Sequence, residues 1–175
     1  MHPPGPNKRF NLYPHTIDIV RLQEETDKIL WQPDLERYKD QLSLQTDGSD
    51  NWNASTGTKI DHDERQWDKV HPGLIGTWWE DFFKQLPFTV YRARLMTMQP
   101  RTCYSIHKDD TPRLHIPIKT HRQARFIFTQ PPDLRHLPAD GAMWWVDTRQ
   151  EHSAMNGSLE PRIHLVACLV NTDAY

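Results

Sequence analysis

At 175 residues the chain is long enough to bury one hydrophobic core, and a single domain is expected. Its 21 basic and 23 acidic side chains leave a net charge of -2, which supplies no cationic stripe and excludes nucleic acid as the expected partner. Cys103 and Cys168 are far apart and form no CxxC pair, so neither a disulfide framework nor a thiolate zinc site is expected, and a reducing cytoplasm fits.

The amino terminus, MHPPGPNKRF, is polar and proline-rich where a secretory signal would need an apolar run. No stretch approaches the roughly 20 apolar residues of a membrane span, so a soluble protein without a membrane partner is expected. Residues 16–32 place Ile17, Val20, Leu22 and Ile29 at roughly helical spacing behind Thr16 as a cap, and Pro33 ends the pattern. Between positions 47 and 68, Gly, Ser, Thr, Asn and Asp accumulate and predict a long loop; a substrate lid and a disordered insertion are equally open readings. WWEDFFKQL, residues 78–86, predicts a second short helix with its aromatic face on the core. Residues 1–86 are thus expected to be the helical and loop portion of one domain, 1–175, and 87–175 its β core.

After Pro87 come seven short segments rich in β-branched and aromatic residues: TVYRARLMTM, TCYSIH, PRLHIPI, ARFIFT, AMWWVD, HSAMN and RIHLVACLV. No helical pattern separates them. Their spacing predicts an antiparallel sandwich or barrel in place of a parallel α/β sheet.

Chemistry enters with His107-Lys108-Asp109, because residues two apart in extended chain project to the same side and can reach one ion. A second histidine, His152, follows 45 positions downstream at the head of another predicted strand. Two imidazoles and one carboxylate leave three positions of an octahedral ferrous ion for a bidentate 2-oxo acid and O2. Arg162 heads an apolar strand, where a buried guanidinium needs an anion; the distal carboxylate of 2-oxoglutarate can accept two parallel N–H bonds from it. In PRLHIPI, Arg113 and His115 should face one way and Leu114 and Ile116 the other, so the polar pair faces either the cavity or, on an edge strand suggested by Pro117, the solvent. His164 shares the face of Arg162 and stays unassigned. Trp144, Trp145, Phe126 and Phe128 are either core or pocket walls.

In order, His-x-Asp, Arg-x-His, Gly-x-x-x-x-x-Asp, His and Arg resemble the aspartyl/asparaginyl β-hydroxylase-like branch of the 2-oxoglutarate oxygenases, over roughly residues 91–170. The segment EHSAMN is also similar to the corresponding piece of bacterial free-proline hydroxylases, where Asn156 is either functional or a turn former before Gly157. The resemblance implies a mainly β fold, a double-stranded β-helix of jelly-roll, cupin-like type with flanking N-terminal helices. It implies Fe(II), 2-oxoglutarate and O2, with His107, Asp109 and His152 as iron ligands, Arg162 on the distal carboxylate, and His115 with Arg113 beside the co-substrate. Animal protein aspartyl hydroxylases of this branch lack a carboxylate at the position of Asp109, which puts Asp110 forward as a substitute ligand. The expected reaction is hydroxylation of an unactivated C–H bond in an amino acid, free or within a peptide. The rivals are a cupin-like metal enzyme that does not use 2-oxoglutarate and a non-catalytic binding protein on the same scaffold.

Overall fold

The computed structural model describes residues 9–59 and 61–170; the polar run before Arg9 lies outside them. Its first element is a strand, β1 (Phe10–Thr16), where the sequence predicted only helix and loop. Pro14 hides this strand from a propensity reading, because proline in a sheet is confined to edges, and an edge is where β1 lies. Helix α1 (Ile19–Leu30) starts later than predicted: Thr16 is used by β1, and Asp18 caps the helix by accepting from Arg21 N at 3.1 Å. Leu22, Thr26 and Ile29 on one face are buried.

Three more short strands lie in the half expected to lack them: β2 (Gln41–Ser43), β3 (Gln45–Thr46) and β4 (Lys69–Val70), the last two paired with each other. Helix α2 (Trp78–Gln85) matches its predicted span and is capped by Thr77. The β core then runs β5 (Tyr91–Met98), β6 (Thr102–Cys103), β7 (Arg113–Lys119), β8 (Ala124–Phe128), β9 (Asp133–Arg135), β10 (Ala142–Val146), β11 (His152–Asn156) and β12 (Arg162–Cys168).

These strands form a six-stranded sheet, β1-β10-β7-β12-β5-β2, and a four-stranded sheet, β6-β11-β8-β9, with antiparallel neighbours throughout. Two antiparallel sheets interleaved in this order are the predicted jelly roll, a double-stranded β-helix. Strand alternation sorts the large sheet's residues by face. Leu95, Leu114, Ile116, Ile118, Leu165 and Ala167 turn outward into the main core, which also contains Leu22, Ile29, Trp79 and Phe82 of the two helices. The alternate positions of the same strands carry Arg94, Arg113, His115, Arg162 and His164, all buried. A smaller cluster of Phe10, Phe126, Phe128, Leu137 and Val146 joins the two sheets.

Pro117 does not mark an edge. Strand β7 is interior, and Pro117 sits opposite His164 next to a register shift, where a missing N–H is tolerated. Both cysteines are free, and among the described residues no helix is long and apolar enough to cross a membrane.

One turn offers a stability test. Gly141 has φ +86° and accepts from Ile17 N at 2.9 Å, and a Cβ there would stand 2.1 Å from the Ile17 carbonyl oxygen. Gly141→Ala should therefore destabilise the fold by about 3 kcal/mol or more, whereas Gly76→Ala, at φ +76° in open space, should cost only about 1 kcal/mol. Denaturant midpoints of the two variants check this ranking.

Candidate metal centre

The segment before β7 brings the first histidine to the second by backbone pairing. His107 N donates to His152 O and His152 N to His107 O, both at 2.9 Å, an isolated antiparallel rung. Residues opposed in such a rung project to the same face, and their ring centroids are 4.4 Å apart. Asp109 N donates to Thr148 O at 2.9 Å, which turns the carboxylate toward the same point, 3.8 Å from His152 Nε2. Donor atoms of His107, Asp109 and His152 all lie within 4.8 Å of one another, so one ion can reach all three.

The surroundings favour that use. His107 Nδ1 lies 2.7 Å from Ser105 O and His152 Nδ1 lies 2.9 Å from Gln150 O. A carbonyl only accepts, so both rings carry their proton on Nδ1 and present Nε2 as a lone pair. Burial holds the His152 pKa below its ordinary value, which keeps that lone pair available. Phe126 stacks on His152 at 5.2 Å and 12°, fixing the ring plane.

Asp109 is steered by Arg113, which is held in turn by Glu64, a residue that carries no signal in the sequence. Arg113 Nη2 stands 3.2 Å from Asp109 and 2.9 Å from Glu64, while Arg92 Nη1 reaches Glu64 at 3.3 Å. Arg113 faces the cavity as expected, and its guanidinium is shared by two carboxylates, so that it orients Asp109. Burial alone would raise the Glu64 pKa, yet Arg113 and a Thr111 hydroxyl outweigh it and hold the carboxyl below its usual range. Its stabilisation is therefore complete above the unfolded pKa and lost as pH falls through the depressed folded one. Glu64→Gln should destabilise the fold by about 3 kcal/mol at neutral pH and weaken metal binding by about 10-fold or more, because two buried guanidinium groups lose their shared counter-charge. Thermal melts across pH check the sign: the difference between wild type and variant should shrink in acid.

Arg162 is 4% exposed, and among the described residues it has no carboxylate partner. Burial pushes its pKa down to about 10. Its Nη2 lies 2.8 Å from His164 Nδ1; guanidinium only donates, so the imidazole accepts there. His115 Nδ1 stands 3.4 Å from the same atom, and burial together with Arg162 holds both rings well below their ordinary pKa, hence neutral. A neutral pair thus orients a cation that lacks an anion.

His107, Asp109, His152, Arg113, His115 and Arg162 all line one cavity of about 580 Å³. That size suits a small ligand. Phe126 also lines it, whereas Phe128 packs in the smaller cluster, Trp144 packs against that cluster and Trp145 lies in the main core. Asp110 lies exposed at the rim. Gly57, Thr58, Lys59, Asp61 and Glu64 come from the predicted loop and border the cavity. Asn156 is fully engaged as a turn former, donating to Met98, Gln99 and Glu160 carbonyls and accepting from Ser158. Two other buried arginines, Arg92 and Arg94, belong to the cavity without having been expected there, although they alternate in an apolar strand, the same signal that singles out Arg162.

A sequence model of the family described as Aspartyl/Asparaginyl beta-hydroxylase matches residues 18–171. The chain belongs to the aspartyl/asparaginyl β-hydroxylase family. The match begins after β1 and includes both helices and strands β2 to β12, most of the chain. No curated protein matches the sequence. Among solved structures, AviO1 from Streptomyces viridochromogenes is 13% identical with a TM-score of 0.47, covering 93% of this chain and 90% of its own. A 2OG-Fe(II) oxygenase family oxidoreductase from Burkholderia pseudomallei is 16% identical at TM-score 0.40, covering 55% of this chain and 52% of its own. A cupin domain from Bordetella pertussis is 13% identical at TM-score 0.40, covering 48% and 85%.

Proposed function

We propose that this member of the aspartyl/asparaginyl β-hydroxylase family is an Fe(II)- and 2-oxoglutarate-dependent dioxygenase that hydroxylates an unactivated C–H bond of an amino acid, free or within a peptide. The reading is carried by one observation: a two-histidine, one-carboxylate donor set and a buried arginine with no anion among the described residues line the same cavity. His107, Asp109 and His152 are the proposed iron ligands. Arg162 is the proposed partner of the distal carboxylate of 2-oxoglutarate, with His115 and Arg113 beside it.

The donor set fits a non-haem ferrous ion, since nitrogen and oxygen donors on one side leave the other open. Once bound, iron with 2-oxoglutarate and O2 would supply the oxidising power for C–H hydroxylation. The chain's own residues do the rest. Ser105 and Gln150 carbonyls hold the two imidazoles as acceptors through Nε2, and Arg113 aims Asp109. Arg162 offers a planar pair of N–H donors from an enclosed wall, where a charge-assisted bond is stronger than in water. Phe126 and Val166 line the cavity with apolar surface and limit water near the donors.

The test is an anaerobic Fe(II) titration followed by succinate release over free amino acids and peptides. Stoichiometric binding of one Fe(II) with succinate formed only in the presence of a prime substrate is expected. Turnover without 2-oxoglutarate would overturn the reading.

A further inference from the structure

The cavity holds more buried positive charge than the residues assigned so far use. Arg92, Arg94, Arg113 and Arg162 line it, against Glu64 and Asp109 as buried or half-buried carboxylates. Arg92 and Arg113 share Glu64, Asp109 answers Arg113, and a co-substrate dianion would answer Arg162. Arg94 remains. It is 6% exposed, and among the described residues its Nη1 reaches only the neutral amide of Gln41, at 3.3 Å. Its Nε is buried and meets no hydrogen-bond partner among the described residues. Burial and the neighbouring Arg92 both disfavour its charge.

Leaving a guanidinium so enclosed and unanswered costs several kcal/mol, unless a ligand brings the missing anion. The geometry favours a flat anion with two oxygens. Gln41 Oε1 accepts from Gly57 N at 3.0 Å as well as from Arg94 Nη1, so it holds one edge of the guanidinium against the loop. Arg94 lines the cavity, and its planar guanidinium carries N–H groups in pairs at the spacing of a carboxylate. Arg94 also sits apart from the proposed co-substrate anchor. In the β5–β12 register Arg94 faces Val166, whereas Arg162 faces Met98, four residues further along β5. The two cations thus stand at different levels of one wall, and Tyr104, which lines the same cavity, feels both.

We infer that Arg94, oriented by Gln41, is the anchor for a carboxylate of the prime substrate, and that the substrate is therefore a carboxylic acid. This rests on the functional reading above for the place of the co-substrate. The carboxylate has two possible sources, the α-carboxylate of a free amino acid and the side chain of an acidic residue within a peptide, and the experiment separates them.

The full-length protein is loaded with Mn(II) and saturating 2-oxoglutarate, and its thermal midpoint is followed with free amino acids, their carboxamides, aspartyl peptides, the matching asparaginyl peptides and inorganic phosphate. Wild type should be stabilised by acids and not by the matched amides. Free acids acting alone identify an α-carboxylate, aspartyl peptides acting alone a side chain. Arg94→Gln should lose that stabilisation, with half-saturation raised about tenfold or more, while Arg94→Lys, which keeps the charge but not the flat edge, should fall between. Affinity for 2-oxoglutarate, read by titration of the Mn(II) protein, should change less than about threefold in Arg94→Gln. If Arg94→Gln fails to fold, Arg94→Lys and Gln41→Ala carry the comparison.

Four results would overturn the inference: amides stabilising as well as acids, phosphate surpassing every carboxylate, no acid stabilising wild type, or Arg94→Gln losing 2-oxoglutarate as severely as Arg162→Gln. A wild-type protein that binds no 2-oxoglutarate fails the functional reading alone. The acid and amide arms still decide Arg94, because they read binding without turnover.

Discussion

His152→Ala is expected to weaken Fe(II) binding by about 100-fold or more and to reduce succinate release to background. His152 is 4% exposed, its Nδ1 is held by the Gln150 carbonyl, and its Nε2 is aimed within 3.8 Å of Asp109. Removing it leaves His107 and Asp109, and two donors cannot enclose one face of an octahedral ion. The fold should survive, because the pairing with His107 runs through backbone groups that alanine retains. Binding loss can therefore be separated from misfolding. Metal that binds the native state alone raises the thermal midpoint of wild type, and that rise should vanish in the variant while its metal-free midpoint moves little. A His152→Ala protein that still gains stability from Fe(II) or Mn(II) would remove this residue from the ligand set.

Arg162→Met is expected to weaken 2-oxoglutarate binding by about 100-fold, since truncating one partner of a buried charge pair costs about 2–5 kcal/mol. The same change should raise the stability of the protein without ligand. Two effects compete. Methionine removes a buried guanidinium that has no carboxylate partner among the described residues, a penalty of several kcal/mol, but it also takes from His164 Nδ1 its shorter hydrogen bond, which costs about 1–3 kcal/mol. Relief of the buried charge outweighs the lost hydrogen bond, so a gain of about 1 kcal/mol is expected. Opposite signs in the two measurements are the signature of a site built for an absent anion. A variant that loses stability and keeps its affinity for 2-oxoglutarate would show Arg162 to be structural.

Much of the β core is legible in the sequence because strand periodicity is local. HSAMN matches β11 residue for residue, and six of the seven segments contain strands of three or more residues. The exception is TCYSIH, where ladder pairing stops after Cys103 and resumes only as the single rung at His107. Strand β1 escapes a local reading because Pro14 argues against a strand, and only its edge position, set by distant β10, makes that proline harmless. Thr16 reads as a helix cap, but Asp18 offers the same chemistry two residues on; the competing demand of the sheet decides between them.

The site shows the same division. By itself the sequence determined which side chains could matter and which face of a strand each would take, because side-chain type and twofold alternation are properties of a few adjacent residues. Tertiary structure alone decided which of them meet. The rung joining His107 to His152 spans 45 positions, and Glu64, from a segment with no periodic signal, became the counter-charge of Arg113. Long-range register and the partners of buried charges depend on how distant segments pack, and no local pattern in the chain records that.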